Sequence, residues 1–301
     1  MRLHDEWSTE ALDRDPIAAD VGPFPCRGFL ETWWEHRGSG DLMLADDGRI
    51  ALPLHLGRKG VEIVGEENLT DYHCPLGGSL DDLIEFGEDL GGVLAPGVPF
   101  RLDSLPGEVA LPLAEGLNSG GVTTASHQHE ATAVLSLPFD HETYLGGLRT
   151  KDRHEIRRKG RRFADALGEP HLVHSPDGLD AFVAMHQAAE GRKGDFMGDE
   201  MVGFFGDLLG LNGAVLSVLW GDDAPVAAAF GFEDEGAYYL YNSAYDPGHA
   251  SASPGVTLID RLIATAIDRG KRRFDFLKGD EAYKFRMGAV ARPLYVLEGT
   301  T

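Results

Sequence analysis

The sequence predicts an α/β (α+β) protein built from two tandem units, each a mixed, mostly antiparallel sheet flanked by helices. Three observations lead there. The order of elements repeats: the turn Asp46-Asp47-Gly48 has a counterpart in Gly221-Asp222-Asp223, Thr70-Asp71-Tyr72 in Ala244-Tyr245-Asp246, the helix opened by Ser79 in one opened by Ser253, and strand 99–102 in strand 273–276. The spacing is near 174 residues, as from Arg101 to Asp275, a period that marks duplicated domains and not a solenoid. Each copy carries a hairpin signal, an Asp/Gly turn between apolar runs. And 272–288 (RRFDFLKGDEAYKFRMG) alternates as a strand, breaks at Gly279 and resumes with helical spacing, as expected where a helical crossover feeds a parallel strand.

In chain order, residues 1–22 read as a polar lead-in. Residues 27–36 form a short helix with Phe29, Trp33 and Trp34 on one side, and strands follow at 41–45, 50–55 and 61–64. Residues 68–77 are a loop, and Ser79 opens a helix with Leu80, Leu83, Ile84 and Phe86 on its apolar side. A strand at 98–102, a loop-rich stretch at 112–125 and a strand at 133–137 complete the first copy. Residues 149–162 (RTKDRHEIRRKGRR) then hold eight Lys or Arg against two acids, which fits either a solvated helix face or a contact to phosphate or another anion.

The second copy starts with a helix at 179–189, with Leu179, Phe182, Val183 and His186 on one face, and a helix at 201–209. Strands follow at 214–220, 225–232 and 237–242, then a loop at 246–253. The helix at 254–269 is well punctuated: Ser253 as N-cap, Pro254 at the first position, Gly270 at the end. Its first turn carries no acid, so its free N–H groups form a ready anion site. The expected boundaries are 1–148 for the first unit, 149–170 for a basic linker helix and 171–301 for the second unit.

Composition narrows the function. The chain is 43% hydrophobic and 25% charged, a globular balance. Its formal net charge of -22 argues against DNA or an anionic membrane surface as general partners. Cys26 and Cys74 lack metal-ligand spacing and are expected to be free thiols in a reducing cytoplasm. No run approaches the roughly 20 apolar residues that cross a bilayer, and the polar, acidic start lacks the pattern of a secretion signal. His127-Gln128-His129-Glu130 has an alternating His pair but no further ligand partner in the sequence, so no metal is expected.

The basic run with Ile156-Arg157-Arg158, the cap Ser253-Pro254-Gly255 and above all 274–284 (FDFLKGDEAYK) resemble the GNAT-fold acetyltransferase family named after the cellulose-biosynthesis protein CelD, similar to the FemABX aminoacyltransferases. The resemblance covers the second copy well and the first in outline. It implies an N-acyltransferase that moves an acyl group from acetyl-CoA or another acyl-CoA to an amine of a small molecule or cell-envelope precursor. A FemABX-like aminoacyltransferase using aminoacyl-tRNA, or a non-catalytic ligand-binding protein, are the alternatives. It places the donor on Tyr241, Asn242, Ser253, Gly255, Val256 and Lys278. The loop 249–256 (HASASPGV) departs from the family's Gln/Arg-x-x-Gly-x-Gly/Ala phosphate loop, keeping only Gly255 and Ser253. Thioester aminolysis needs a proton acceptor for the amine, a donor for the oxyanion and an acid for the thiolate. Asp275 is the candidate base or amine-positioning group, or else a structural partner of Lys284, and Tyr283 is the candidate acid; Lys284, Arg286, His186 and Arg192 are candidate substrate contacts.

Overall fold

A computed structural model describes residues 1–57 and 59–301; the side chains of Arg192 and Lys193 lie outside the described residues. The chain divides into two compact units, Met1–Thr132 with Arg292–Thr301, and Ala133–Ala291. The cuts therefore differ from the expected ones. The last ten residues return to the first unit, and the basic helix is part of the second.

In the first unit, β1 (Arg2–His4) and α1 (Thr9–Leu12) lie within the expected polar lead-in, which the structure ties down by burying Ala11, Leu12, Ala18 and Val21. Then come α2 (Arg27–Arg37), β2 (Asp41–Asp46), β3 (Ala51–Gly57), β4 (Gly60–Ile63), α3 (Leu83–Val93), β5 (Pro99–Pro106) and α4 (Gly107–Ser119). β1 to β4 pair as an antiparallel meander, β5 joins β4 in parallel, and the C-terminal strand pairs antiparallel with β5.

The loop-rich reading of 112–125 is wrong. α4 runs through Pro112 and buries Val109, Ala110, Leu113, Ala114 and Leu117. Tertiary packing overrides the local signal: a Cβ on Gly116 would lie 2.2 Å from the Ile84 carbonyl oxygen, so glycine lets α4 approach α3 backbone to backbone. β6 (Thr123–Ser136) is also far longer than the strand expected at 133–137.

The second unit continues from the end of β6 with α5 (His141–Gly147), α6 (Thr150–Leu167), β7 (His171–His174), α7 (Leu179–Gln187), α8 (Arg192–Phe196) and α9 (Asp199–Leu208). β8 (Ala214–Gly221), β9 (Ala224–Glu233) and β10 (Ala237–Tyr245) form its meander, and α10 (Pro254–Asp268), β11 (Arg273–Lys278), α11 (Ala282–Arg286) and the start of β12 (Val290–Thr300) follow. β7 to β10 are antiparallel in sequence order, and β11 pairs with β10 in parallel. The 3.6-residue pattern of α10 holds: Leu258, Ile259, Leu262, Ile263, Ala266 and Ile267 are buried and share a core with Ile156 and Phe163 of α6 and with Phe274 and Phe276 of β11. Full burial of such a side chain is worth about 1.5–3 kcal/mol. That apolar stripe fixes α6 inside the unit.

Both cysteines are free. Among the described residues, no helix is long and apolar enough to cross a membrane.

Candidate active site

The chemistry of the second unit gathers at the carboxyl ends of β10 and β11, where open α/β sheets hold ligands. The two strands pair only at Ala237–Arg273, Tyr238–Phe274 and Tyr239–Asp275, although β10 runs on to Tyr245 and β11 to Lys278. Beyond Tyr239 they part, and the facing edge of β10 is left without strand partners from β11. A bulge between Leu240 and Asn242 disturbs the opposite ladder at the same level. Tyr241 turns its ring toward Phe205 and Phe232, each 5.6 Å away between centroids, so what it presents to the split is backbone.

After β10 the 3-10 turn Pro247–Ala252 leads into α10. Ser253 is not the side-chain cap expected of it. It sits at φ 64°, ψ 44° and makes no capping bond; its carbonyl instead takes the Thr257 N–H at 3.3 Å. Pro254 has no N–H, so the donors left at the helix start are Gly255 and Val256. No acid lies in this first turn. His249 is the one basic residue of the turn, and its Nδ1 lies 2.8 Å from Asp246 Oδ2.

The end of β11 is built around two buried charged residues. Asp275 is 0% exposed, and its Oδ1 accepts the Leu277 N–H at 2.8 Å. Leu277 stands at φ +60°, a left-handed conformation that costs an L-residue roughly 1–2 kcal/mol. Lys284 is 3% exposed. Its Nζ donates to the carbonyls of Leu277 (3.3 Å), Gly279 (3.4 Å) and Lys278, and pairs with Glu281 Oε2 at 3.0 Å. Gly279 has φ +112°, and a Cβ there would lie 2.9 Å from that Nζ, so the wrapping of the turn around the ammonium requires glycine.

The structure places the sequence-derived candidates as follows. Lys284 is buried, and its ammonium is bonded to its own turn. His186 is 1% exposed and packs edge-on to Phe182 at 4.7 Å, which makes it a core residue. Asp275 is enclosed and bonded to the turn, which leaves it no open face for an incoming amine. Tyr283 is half-buried, its ring edge-on to Phe276 at 6.1 Å, and among the described residues its hydroxyl makes no hydrogen bond. Burial, with the Glu281 carboxylate second, pushes its phenol above the ordinary tyrosine range, so it stays protonated. Lys278 ends β11 half-buried, and Arg286 is exposed at the end of α11. The Arg192 side chain lies outside the described residues.

Leu277 was not singled out from the sequence, because nothing in a leucine signals a left-handed backbone. Only the flanking Asp275 and Gly279 hinted at a turn held from both sides. In the first unit, folding supplies His129 and Glu130 with a partner that the sequence had not revealed, Glu67, their ligand atoms lying within 4.8 Å of one another. Arg101 stands 3.6 Å from Glu67 and 3.5 Å from His129, so a guanidinium already compensates that charge.

Residues 150–285 match the model of the acetyltransferase (GNAT) domain. Solved structures extend the likeness to nearly the whole chain. A conserved protein of unknown function from Bacteroides thetaiotaomicron is 13% identical, with 97% of this chain and 94% of that one covered and a TM-score of 0.61. FemX is 10% identical, with 98% and 97% covered and a TM-score of 0.62. L-PGS from Bacillus licheniformis is 15% identical, with 92% and 93% covered and a TM-score of 0.57. At such identities the likeness concerns the fold. No curated protein matches the chain.

Proposed function

We propose that the protein is an N-acyltransferase that transfers an acyl group from acyl-CoA to an amine, with the donor held by the second unit. The observation that carries this reading is the parting of β10 from β11 beside the bare start of α10. An acyl thioester laid in the split meets unpaired backbone groups of 240–242, and a phosphate at the helix start meets the N–H groups of Gly255 and Val256. The match of 150–285 to the acetyltransferase (GNAT) domain supports the reaction class.

In this reading the amine nitrogen attacks the thioester carbonyl, backbone N–H groups hold the oxyanion, and the C–S bond breaks. Tyr283 gives its proton to the departing thiolate, and the amine releases its own proton to solvent. Asp275 acts through Leu277 as a positioning residue for the turn, and Lys278 lies at the mouth of the split.

A second reading, with an aminoacyl group as the cargo, is favoured by the overall likeness to FemX and L-PGS. A thermal-shift titration with acetyl-CoA and longer acyl-CoAs separates the two. A ligand that binds only the native state at 100 times its Kd adds about 2.7 kcal/mol of stability. A rise in Tm with acyl-CoA supports the first reading, and no rise with any acyl-CoA contradicts it.

A further inference from the structure

The loop before α10 lacks a free cation for a phosphate, because His249 is tied to Asp246. The cations are nearby on α6. Arg158, Arg161 and Arg162 line a recess of about 420 Å³ on its outer face, together with Asp165 and Ala166. Arg158 is held in a fixed orientation by Glu155, through Nε at 2.8 Å and Nη2 at 2.7 Å. Among the described residues, Arg161 and Arg162 make no ion pair, although the chain as a whole carries a net charge of -22.

The position of this recess follows from the hydrogen bonds. The Leu167 carbonyl, at the end of α6, accepts the N–H of Asp222 in the β8–β9 turn. Asp246, which opens the 3-10 turn, donates its N–H to Val226 at the start of β9. The C-terminal half of α6 thus lies at the same end of the sheet as the start of α10 and the carboxyl ends of β10 and β11. α6 also packs directly against the 3-10 turn and α10.

We infer that Arg158, Arg161 and Arg162 form a phosphate site for the acyl donor, supplying from α6 the cations that the loop before α10 lacks. The inference rests on the acyltransferase reading for the identity of the ligand. The planar guanidinium fork suits a terminal phosphate, which accepts two parallel N–H bonds from each of Arg161 and Arg162, while Arg158, its Nε and Nη2 held by Glu155, adds positive charge beside them. Two sources offer that chemistry: the 3′-phosphate of CoA, or the phosphates of an RNA-borne donor.

The test is a set of binding isotherms on the full chain, wild type and the double variant Arg161→Gln/Arg162→Gln, with CoA, 3′-dephospho-CoA and bulk tRNA at two salt concentrations. Both side chains are exposed, so the variant is expected to keep the wild-type Tm without ligand. Loss of charged hydrogen bonds should weaken CoA about tenfold or more while leaving dephospho-CoA unchanged. If the phosphate comes from RNA, CoA is indifferent and the tRNA salt slope falls by about two. Equal binding by wild type and variant to every ligand overturns the site and leaves the acyl-CoA reading intact. Binding of tRNA through these arginines with no CoA binding to wild type keeps the site and overturns acyl-CoA as donor. Absence of binding to all three by wild type overturns both.

Discussion

The two units end their parallel strand pairs in closely related ways and then use them differently. β4 and β5 pair only at Val61–Phe100 and Glu62–Arg101, as β10 and β11 pair only at three positions. Each outgoing strand carries a buried acid within two residues of a left-handed non-glycine: Asp103 beside Ser104 at φ 59°, and Asp275 before Leu277 at φ 60°. In the first unit a loop residue closes the end. His73 donates its N–H to the Ser104 carbonyl at 3.0 Å, and its Nδ1 lies 2.9 Å from the Asp103 carbonyl and 3.1 Å from Asp103 Oδ1. In the second unit the closing group is Lys284, which arrives from α11 and binds carbonyls from behind. The loop there becomes a 3-10 turn and a bare helix start instead of a plug. An acid at the end of the strand is therefore common to both units. They differ in which element satisfies the strand end, and from which side.

The largest change expected on breaking that difference is from Lys284→Met. It strips three carbonyls of their donor and should cost about 3 kcal/mol, read as a lower urea midpoint at unchanged slope. Tyr283→Phe is the functional counterpart. It should leave Tm and acyl-CoA affinity in place and lower kcat about 100-fold, the low end for a lost general acid. The pH profile sharpens this. Because burial raises the Tyr283 pKa, the acid form persists through the ordinary tyrosine range, and kcat should show no falling limb up to pH of about 10.

Asp103→Ala probes the plugged end. Loss of the Ser104 and His73 contacts should cost about 1–3 kcal/mol of stability, while acyl-CoA affinity, measured by titration, stays within about twofold of wild type. The smallest effect belongs to Ser253→Ala. A capping serine loses about 1 kcal/mol on this change, but Ser253 makes no capping bond, so chemical denaturation should show a change of under about 0.3 kcal/mol.

Much of this architecture was legible in the sequence, for identifiable reasons. The meander strands of both copies and α10 announce themselves by period and punctuation, and the fold class follows from their order. The strand-turn-helix at 273–286 was legible as a charged strand end. The roles within it were not. Lys284 reads as a candidate substrate contact, and only the fold shows the carbonyls of Leu277 to Gly279 converging on it. His186 reads as another, and only the fold shows it buried against Phe182. Neither the closure of the first unit by the last ten residues nor α4 through Pro112 leaves a local trace, since both depend on partners distant in sequence or on glycine-mediated contact. Residues 249–256 were legible only as a departure from the family's phosphate-loop pattern.

The claim that the second strand end holds the donor and the first does not is tested most directly by hydrogen–deuterium exchange with and without saturating acetyl-CoA. The account predicts slowed exchange in 240–256 and 275–284, with 61–73 and 100–106 unchanged. Protection confined to the first-unit segments, or protection in neither, would contradict it.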